Sequence, residues 1–252
     1  MIRMACFLGF TVGYYSVFEC GRFVYRLVGR DYLAWRTRIV KAWGRKMCAI
    51  CNCRVTVQGV PPEPPFVLVC NHLSYTDLPV LLSLVDGVPI AKKEVRSWPV
   101  IGYIFEGVGV VFVDRTRRRD LVRVNEEIAA HVHSQQGIFF FPEGMSSKGA
   151  DILPFKPSLL AFPASQGLPV SYASITYQTG GDEPPAHEAV CWWREDDLFF
   201  WHALRFMGLK TFDARVSFGS DPVLNTDRKE LADALWHRMK AQFVPVVHEE
   251  IS

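Results

Sequence analysis

The chain has no N-terminal hydrophobic run long enough to cross a bilayer. Met4–Phe18 is fifteen residues without a charge before Glu19 interrupts it. As a helix rising about 1.5 Å per residue it falls short of the ~30 Å hydrocarbon core, so it is expected to dip into a membrane and not to span one. No small-x-small cleavage site follows it, and Phe18-Glu19 before Cys20 is a poor lipoprotein site. Cysteines are few, 7 in 252 residues, odd in number and without framework spacing. That excludes a disulfide scaffold and leaves reduced thiols. Cys48, Cys51 and Cys53 supply three thiolates and read as small buried hydrophobes, so no metal is expected. There is no internal repeat and no low-complexity tract, and a composition 49% hydrophobic and 21% charged excludes disorder.

Acidic residues are scarce at the N-terminus. Residues 1–60 hold ten Lys and Arg against Glu19 and Asp31, a balance of +8, while the rest carry 18 basic and 24 acidic groups, or −6. A basic, apolar leader thus precedes a mildly acidic body. Its interleaved aromatic and aliphatic residues favour an anionic phospholipid surface over nucleic acid, which is not expected as a partner. In residues 31–50, Trp35, Ile39, Trp43 and Met47 recur every fourth position with Arg38, Lys41 and Arg45 opposite, the pattern of an amphipathic helix. That stripe suits either an interfacial anchor or packing on the body, and the Trp and Arg content favours the anchor. Pro61, Pro62, Pro64 and Pro65 then break the chain. Two units are expected: residues 1–60, an N-terminal apolar and amphipathic helical membrane-binding segment, and residues 61–252, the main body.

The body alternates. Phe66–Cys70, Val110–Val113, Ile138–Phe141, Pro169–Ile175 and Arg215–Phe218 read as strands. Helical patterns occupy Leu78–Val85, Leu121–His133, Leu198–Met207 and Arg228–Phe243, the last with Asn225 and Thr226 as candidate caps. The expected fold is α/β, with a central mostly parallel sheet flanked by helices. The segment Glu188–Trp201 is rich in aromatics and fits an acyl channel, a membrane contact or plain core equally well.

The informative segment is Asn71-His72-Leu73-Ser74-Tyr75-Thr76-Asp77, directly after a buried strand, where open α/β sheets gather reactive groups. Five positions suit a turn entering a helix, so that Asp77 folds back on one imidazole nitrogen of His72 while the other faces substrate. The carboxylate would fix the tautomer and stabilise the imidazolium, which makes His72 a general base. Three further segments follow in order: Gly109–Arg115 (GVVFVDR), Phe141-Pro142-Glu143-Gly144, and Leu153–Lys156 with Gly167–Val170. Together these blocks resemble the 1-acylglycerol-3-phosphate (lysophosphatidate) acyltransferase superfamily of glycerolipid acyltransferases, which has NHxSxxD, GxxFxxR, FPEG and a proline-centred fourth block in that order. The resemblance covers residues 66–177, and the basic leader also looks like the membrane-binding N-terminus of that family.

The resemblance implies an O-acyltransferase. His72 would deprotonate the hydroxyl of a lysophospholipid, 1-acylglycerol-3-phosphate above all, and Asp77 would orient it. The alkoxide would attack the thioester of acyl-CoA or acyl carrier protein, with no cofactor and no metal. Arg115 would hold the acceptor phosphate, since a planar guanidinium meets phosphate oxygens two at a time. Phe112, Glu143, Gly144 and Lys156 would complete the substrate-binding set, with Glu143 and Gly144 binding the glycerol backbone or shaping the turn. The expected location is the cytoplasmic face of the inner or plasma membrane. One departure matters: where many members read EGTR, this chain has Glu143-Gly144-Met145-Ser146-Ser147. A cation is missing from the expected place, so a different lysolipid head group is the alternative acceptor, and a non-catalytic lipid-binding protein of the same fold is the other reading. A serine hydrolase is disfavoured, because Gly144-Met145-Ser146-Ser147-Lys148 lacks the last glycine of a nucleophile elbow.

Overall fold

Strands form where the sequence runs apolar, as in β2, or alternates apolar with polar, as at the edge of the sheet. The computed structural model describes residues 2–98, 101–114, 118–133, 136–194 and 196–247, with the backbone alone at Arg118, Arg119, Leu121 and His133. Helices α1 (Ile2–Leu27) and α2 (Leu33–Ile50) lead into strand β1 (Cys53–Gln58) and strand β2 (Phe66–Cys70). There follow α3 (Asp77–Leu84), β3 (Gly87–Lys92), α4 (Ile101–Gly107), β4 (Val111–Val113), α5 (Arg118–His133) and β5 (Gly137–Phe140). The chain ends through α6 (Ala161–Ser165), β6 (Val170–Thr179), α7 (Ala186–Ala189), α8 (Phe199–Phe206), β7 (Phe212–Phe218) and α9 (Arg228–Gln242).

The seven strands make one sheet in the order β1-β7-β6-β2-β5-β3-β4. All pairs are parallel except β6 with β7. Alternation sorts the core into two layers: Phe66, Leu68 and Cys70 of β2 face a cluster with Leu81, Ile175, Tyr177, Phe206 and Phe212. Val67 and Val69 face the other, with Ile128, Phe140, Leu231 and Leu235. Helices therefore cover both faces, as buried parallel strands require. The start of α9 is capped by Asp227, whose side chain accepts from the amides of Lys229 and Glu230, and not by Asn225 or Thr226.

The leader is built into this body. Cys53–Gln58, inside the segment expected to be helical and separate, is the edge strand β1 paired in parallel with β7. The boundary at residue 60 thus falls after the first strand, whose apolar positions Cys53, Val55 and Val57 alternate with polar ones. Helix α2 lies against α3 so closely that a Cβ on Gly44 would stand 2.7 Å from the Ser83 amide nitrogen and 2.8 Å from the Pro79 carbonyl oxygen. Cys48 and Cys51 are buried in the core, and among the described residues no group of three His, Cys, Asp or Glu side chains could hold a metal ion.

The apolar stripe of α2 is covered by α1. Trp43 Nε1 donates to Thr11 Oγ1 at 3.1 Å, Trp35 Nε1 to the Phe18 carbonyl at 3.3 Å, and Phe7 packs edge-on to Trp43. The outward apolar surface therefore belongs to α1, where Leu8, Val12, Val17, Phe23, Val24 and Leu27 are exposed. Among the described residues no helix is long and apolar enough to cross a membrane. α1 runs past the charge at Glu19, which pairs with Arg22 one turn on.

Candidate active site

Strand order decides which loops meet. β2 lies between β5 and β6, so the loop after Cys70 is flanked by the loop after Phe140 and by the longer β6, which runs on past it. Register places Cys70 beside Ala173. Beyond that point the Asn71 side chain continues the ladder: its Oδ1 accepts from the Ile175 amide at 2.7 Å and its Nδ2 donates to the Ile175 carbonyl at 3.0 Å. A side-chain amide can replace a backbone amide here because it carries the same donor and acceptor. The backbone is thereby released to turn at His72.

Asp77 opens α3 and is fully buried. Its Oδ2 accepts from His72 Nδ1 at 2.7 Å, from the Leu73 amide at 2.8 Å and from the Ser74 amide at 3.0 Å. Its Oδ1 accepts from the Tyr177 hydroxyl at 2.6 Å. Four donors on two oxygens, at a helix N-terminus, define a site for the ionised carboxylate. Since that carboxylate only accepts, Nδ1 carries the hydrogen and Nε2 of His72 bears the lone pair. The His72 side chain keeps 26% of its exposure while Asp77 keeps 0%, so the base reaches the surface and its partner does not.

Two residues outside the sequence expectation complete the arrangement. Tyr177 comes from β6, and its hydroxyl also accepts from Thr76 Oγ1 at 3.1 Å. Burial, reinforced by the Asp77 carboxylate, holds the Tyr177 phenol well above its ordinary range, so it stays a donor. Phe141 stacks on the His72 ring with centroids 4.2 Å apart and planes 14° from parallel. The Asn-His-Asp block points to neither; the one available cue is the aromatic before Pro142 at the end of a strand.

Glu143 is buried beneath the turn. One carboxylate oxygen accepts from the His72 amide at 2.6 Å and the other from the Leu153 amide at 2.8 Å. Burial pushes its carboxyl up to about 8, against the pull of those two amides. With each oxygen so engaged it shapes the turn. Gly144 sits at φ +85°, which glycine adopts without strain, and the Ser147 amide donates to the His72 carbonyl at 3.0 Å. Lys156 is tied through its backbone to Pro142, its amide donating to that carbonyl at 2.9 Å, and the residue is exposed. Phe112 lines a polar pocket at the end of β4 with Lys93, Arg96, Asp114, Asp120 and Arg123. There Lys93 pairs with Asp114 at 2.8 Å and Arg123 with Asp120 at 2.8 Å. Arg115, the expected phosphate ligand, lies outside the described residues. His72, Asp77 and Glu143 are thus one hydrogen-bonded unit, and Phe112 belongs to another pocket.

Residues 54–173 match the family described as Acyltransferase. Lyso-ornithine lipid O-acyltransferases are among the similar proteins: the one from Brucella abortus is 30% identical over 223 residues, 82% of each chain. The one from Pseudomonas aeruginosa is 33% identical over 156 residues, 62% of this chain and 60% of that one. The 1-acyl-sn-glycerol-3-phosphate acyltransferase of Neisseria meningitidis serogroup B is 29% identical over 217 residues, covering 82% of this chain and 81% of that one. Among solved structures, the 1-acyl-sn-glycerophosphate acyltransferase PlsC of Thermotoga maritima superposes with a TM-score of 0.63 over 95% of both chains at 23% identity, which establishes the shared fold. With its four motif blocks in order on that fold, the chain belongs to the 1-acylglycerol-3-phosphate acyltransferase superfamily of glycerolipid acyltransferases.

Proposed function

We propose that the chain transfers a fatty acyl group from the thioester of acyl-CoA or acyl carrier protein to the hydroxyl of a lysophospholipid, with His72 as general base. The observation that supports this best is the bond from His72 Nδ1 to the buried Asp77, which in the neutral ring leaves the lone pair on Nε2 of a side chain 26% exposed. In the step, Nε2 takes the hydroxyl proton as the acceptor oxygen attacks the thioester carbonyl. The C–S bond then breaks, and the leaving thiolate takes the proton from the imidazolium. Asp77 holds the ring and balances its transient charge. A base so placed contributes about 10² to 10⁴ in rate. An apolar cavity lined by Phe18, Val40, Leu78, Leu82 and Ile104 lies between α3 and the N-terminal helices and offers a place for an aliphatic chain.

The acceptor we favour is 1-acylglycerol-3-phosphate, with Arg115 on its phosphate. A second acceptor class is carried by two observations: the third block lacks its Thr-Arg, and the similar enzymes include lyso-ornithine lipid O-acyltransferases. Membrane contact is supported by α1, whose outward apolar residues adjoin the basic Arg22, Arg26 and Arg30, a composition suited to an anionic cytoplasmic leaflet. Thioester consumption, measured with acyl-CoA and acyl carrier protein against a panel of lysolipids that includes 1-acylglycerol-3-phosphate and lyso-ornithine lipid, tests the reading. Transfer to an acceptor hydroxyl is expected. Release of free fatty acid without transfer, or no consumption with any acceptor, would overturn it.

A further inference from the structure

An aromatic patch beside the site belongs neither to the core nor to the chemistry. At the start of α8, Leu198, Phe200 and Trp201 are 65%, 58% and 57% exposed, and the Phe200 and Trp201 rings pack edge-on at 5.4 Å. Between them Phe199, itself 39% exposed, packs on Tyr75 and Trp98, both with centroids 5.0 Å away, and on Trp192 at 5.6 Å. Tyr75 belongs to the motif loop that carries His72, and the Trp192 amide donates to the Leu73 carbonyl at 2.9 Å. The patch is therefore tied to the loop that aims the base.

The opposite end of α8 is tied to α1. Arg3, in the first turn of α1, donates to the carbonyl of Met207, the residue capping α8, at 3.2 Å. Tyr15 of α1 packs on the exposed Tyr103 of α4. Among the described residues the charges bordering the patch are paired with each other, Arg194 with Asp196 at 2.9 Å and Arg205 with Asp197 at 2.5 Å, so these four carry no net charge.

We infer that the start of α8 is a second, charge-independent membrane contact, which seats the mouth of the His72 site at the level of the lipid headgroups. This deepens the lysolipid reading above and rests on it. Trp and Phe rings favour the headgroup–acyl boundary, and a lysolipid presents its reacting hydroxyl near that depth. A second copy of the chain would need roughly 20–30 residues a side for a stable interface, whereas the patch offers a few side chains.

The test compares the full-length Phe200→Ser/Trp201→Ser variant with the wild type, by sedimentation with phosphatidylcholine vesicles and with vesicles containing phosphatidylglycerol, at about 0.1 M and about 1 M salt. Both side chains are exposed, so the fold is retained. Partition onto both vesicle types is expected to fall about ten-fold or more at both salts. Acylation of a vesicle-embedded lysolipid falls with it, while turnover of a short-chain acceptor in solution stays at the wild-type rate. Unchanged partition would overturn the inference. So would a loss confined to anionic vesicles at low salt, or a dimer-to-monomer change by light scattering with partition unaltered. If the wild type acylates no lysolipid yet vesicle binding falls as expected, the docking stands and the acyl-transfer reading fails.

Discussion

Replacing Glu143 with glutamine keeps its volume and removes its charge, and the effects expected on stability and on activity carry opposite signs. The folded carboxyl is pushed up by burial to about 8, from an ordinary value of 4.5. Between those limits the unfolded chain releases a proton that the folded chain retains. Stability from this group is therefore full below about pH 4.5 and falls as pH rises toward about 8, by on the order of 5 kcal/mol at ~1.4 kcal/mol per pH unit. Activity runs the other way. The neutral acid has one good acceptor and holds one of the His72 and Leu153 amides poorly, whereas the carboxylate holds both. Wild-type kcat should rise as pH passes about 8 and the turn tightens around His72. Glutamine offers one carbonyl oxygen and turns an NH₂ toward the second amide, an unsatisfied donor worth about 1–3 kcal/mol. Denaturant titrations at about pH 5, 7 and 9 should give a shallower stability slope in the variant, and its kcat should trail the wild type most at the highest pH. Equal stability slopes, or a kcat ratio constant across that range, would refute the reasoning.

Tyr177→Phe removes the 2.6 Å bond to Asp77 Oδ1 and the acceptor of Thr76. It should cost about 1–3 kcal/mol of stability and lower kcat roughly ten-fold with KM unchanged, by denaturant titration and steady-state kinetics. Gly44→Ala drives a methyl against the backbone of α3 at Ser83, Pro79 and Leu82. A loss of about 1–3 kcal/mol in denaturant titration is expected, since no flexible side chain is there to give way. Arg115→Ala should raise the KM for 1-acylglycerol-3-phosphate while leaving kcat near wild type, because contact with a fixed anion is lost in ground and transition state alike. An unchanged KM would assign the phosphate to another cation.

The parts of the fold legible in the sequence were those with short-range signals. β2 and β5 are unbroken apolar runs, and α3, α5, α8 and α9 keep helical periodicity. β3 was hidden because Gly87 and Pro89 punctuate it, although it pairs with both β5 and β4 inside the sheet. β1 was hidden inside a leader whose charge suggested a different solvent. The stripe of α2 could be read as a membrane face because periodicity shows which residues share a side and is silent on what covers it; here α1 does. The His72–Asp77 pair was legible because five residues and one turn are enough to build it. Tyr177 and the engagement of both Glu143 oxygens were not, since each depends on the register of strands far apart in sequence.

The central claim is that one imidazole at the end of β2 removes the acceptor's proton. Acyl transfer from a thioester to a lysolipid hydroxyl by His72→Ala, at the same protein and vesicle concentrations as the wild type, tests it most directly. The expected result is a fall of about 10² to 10⁴ in turnover with vesicle binding retained. Wild-type turnover in that variant would contradict it.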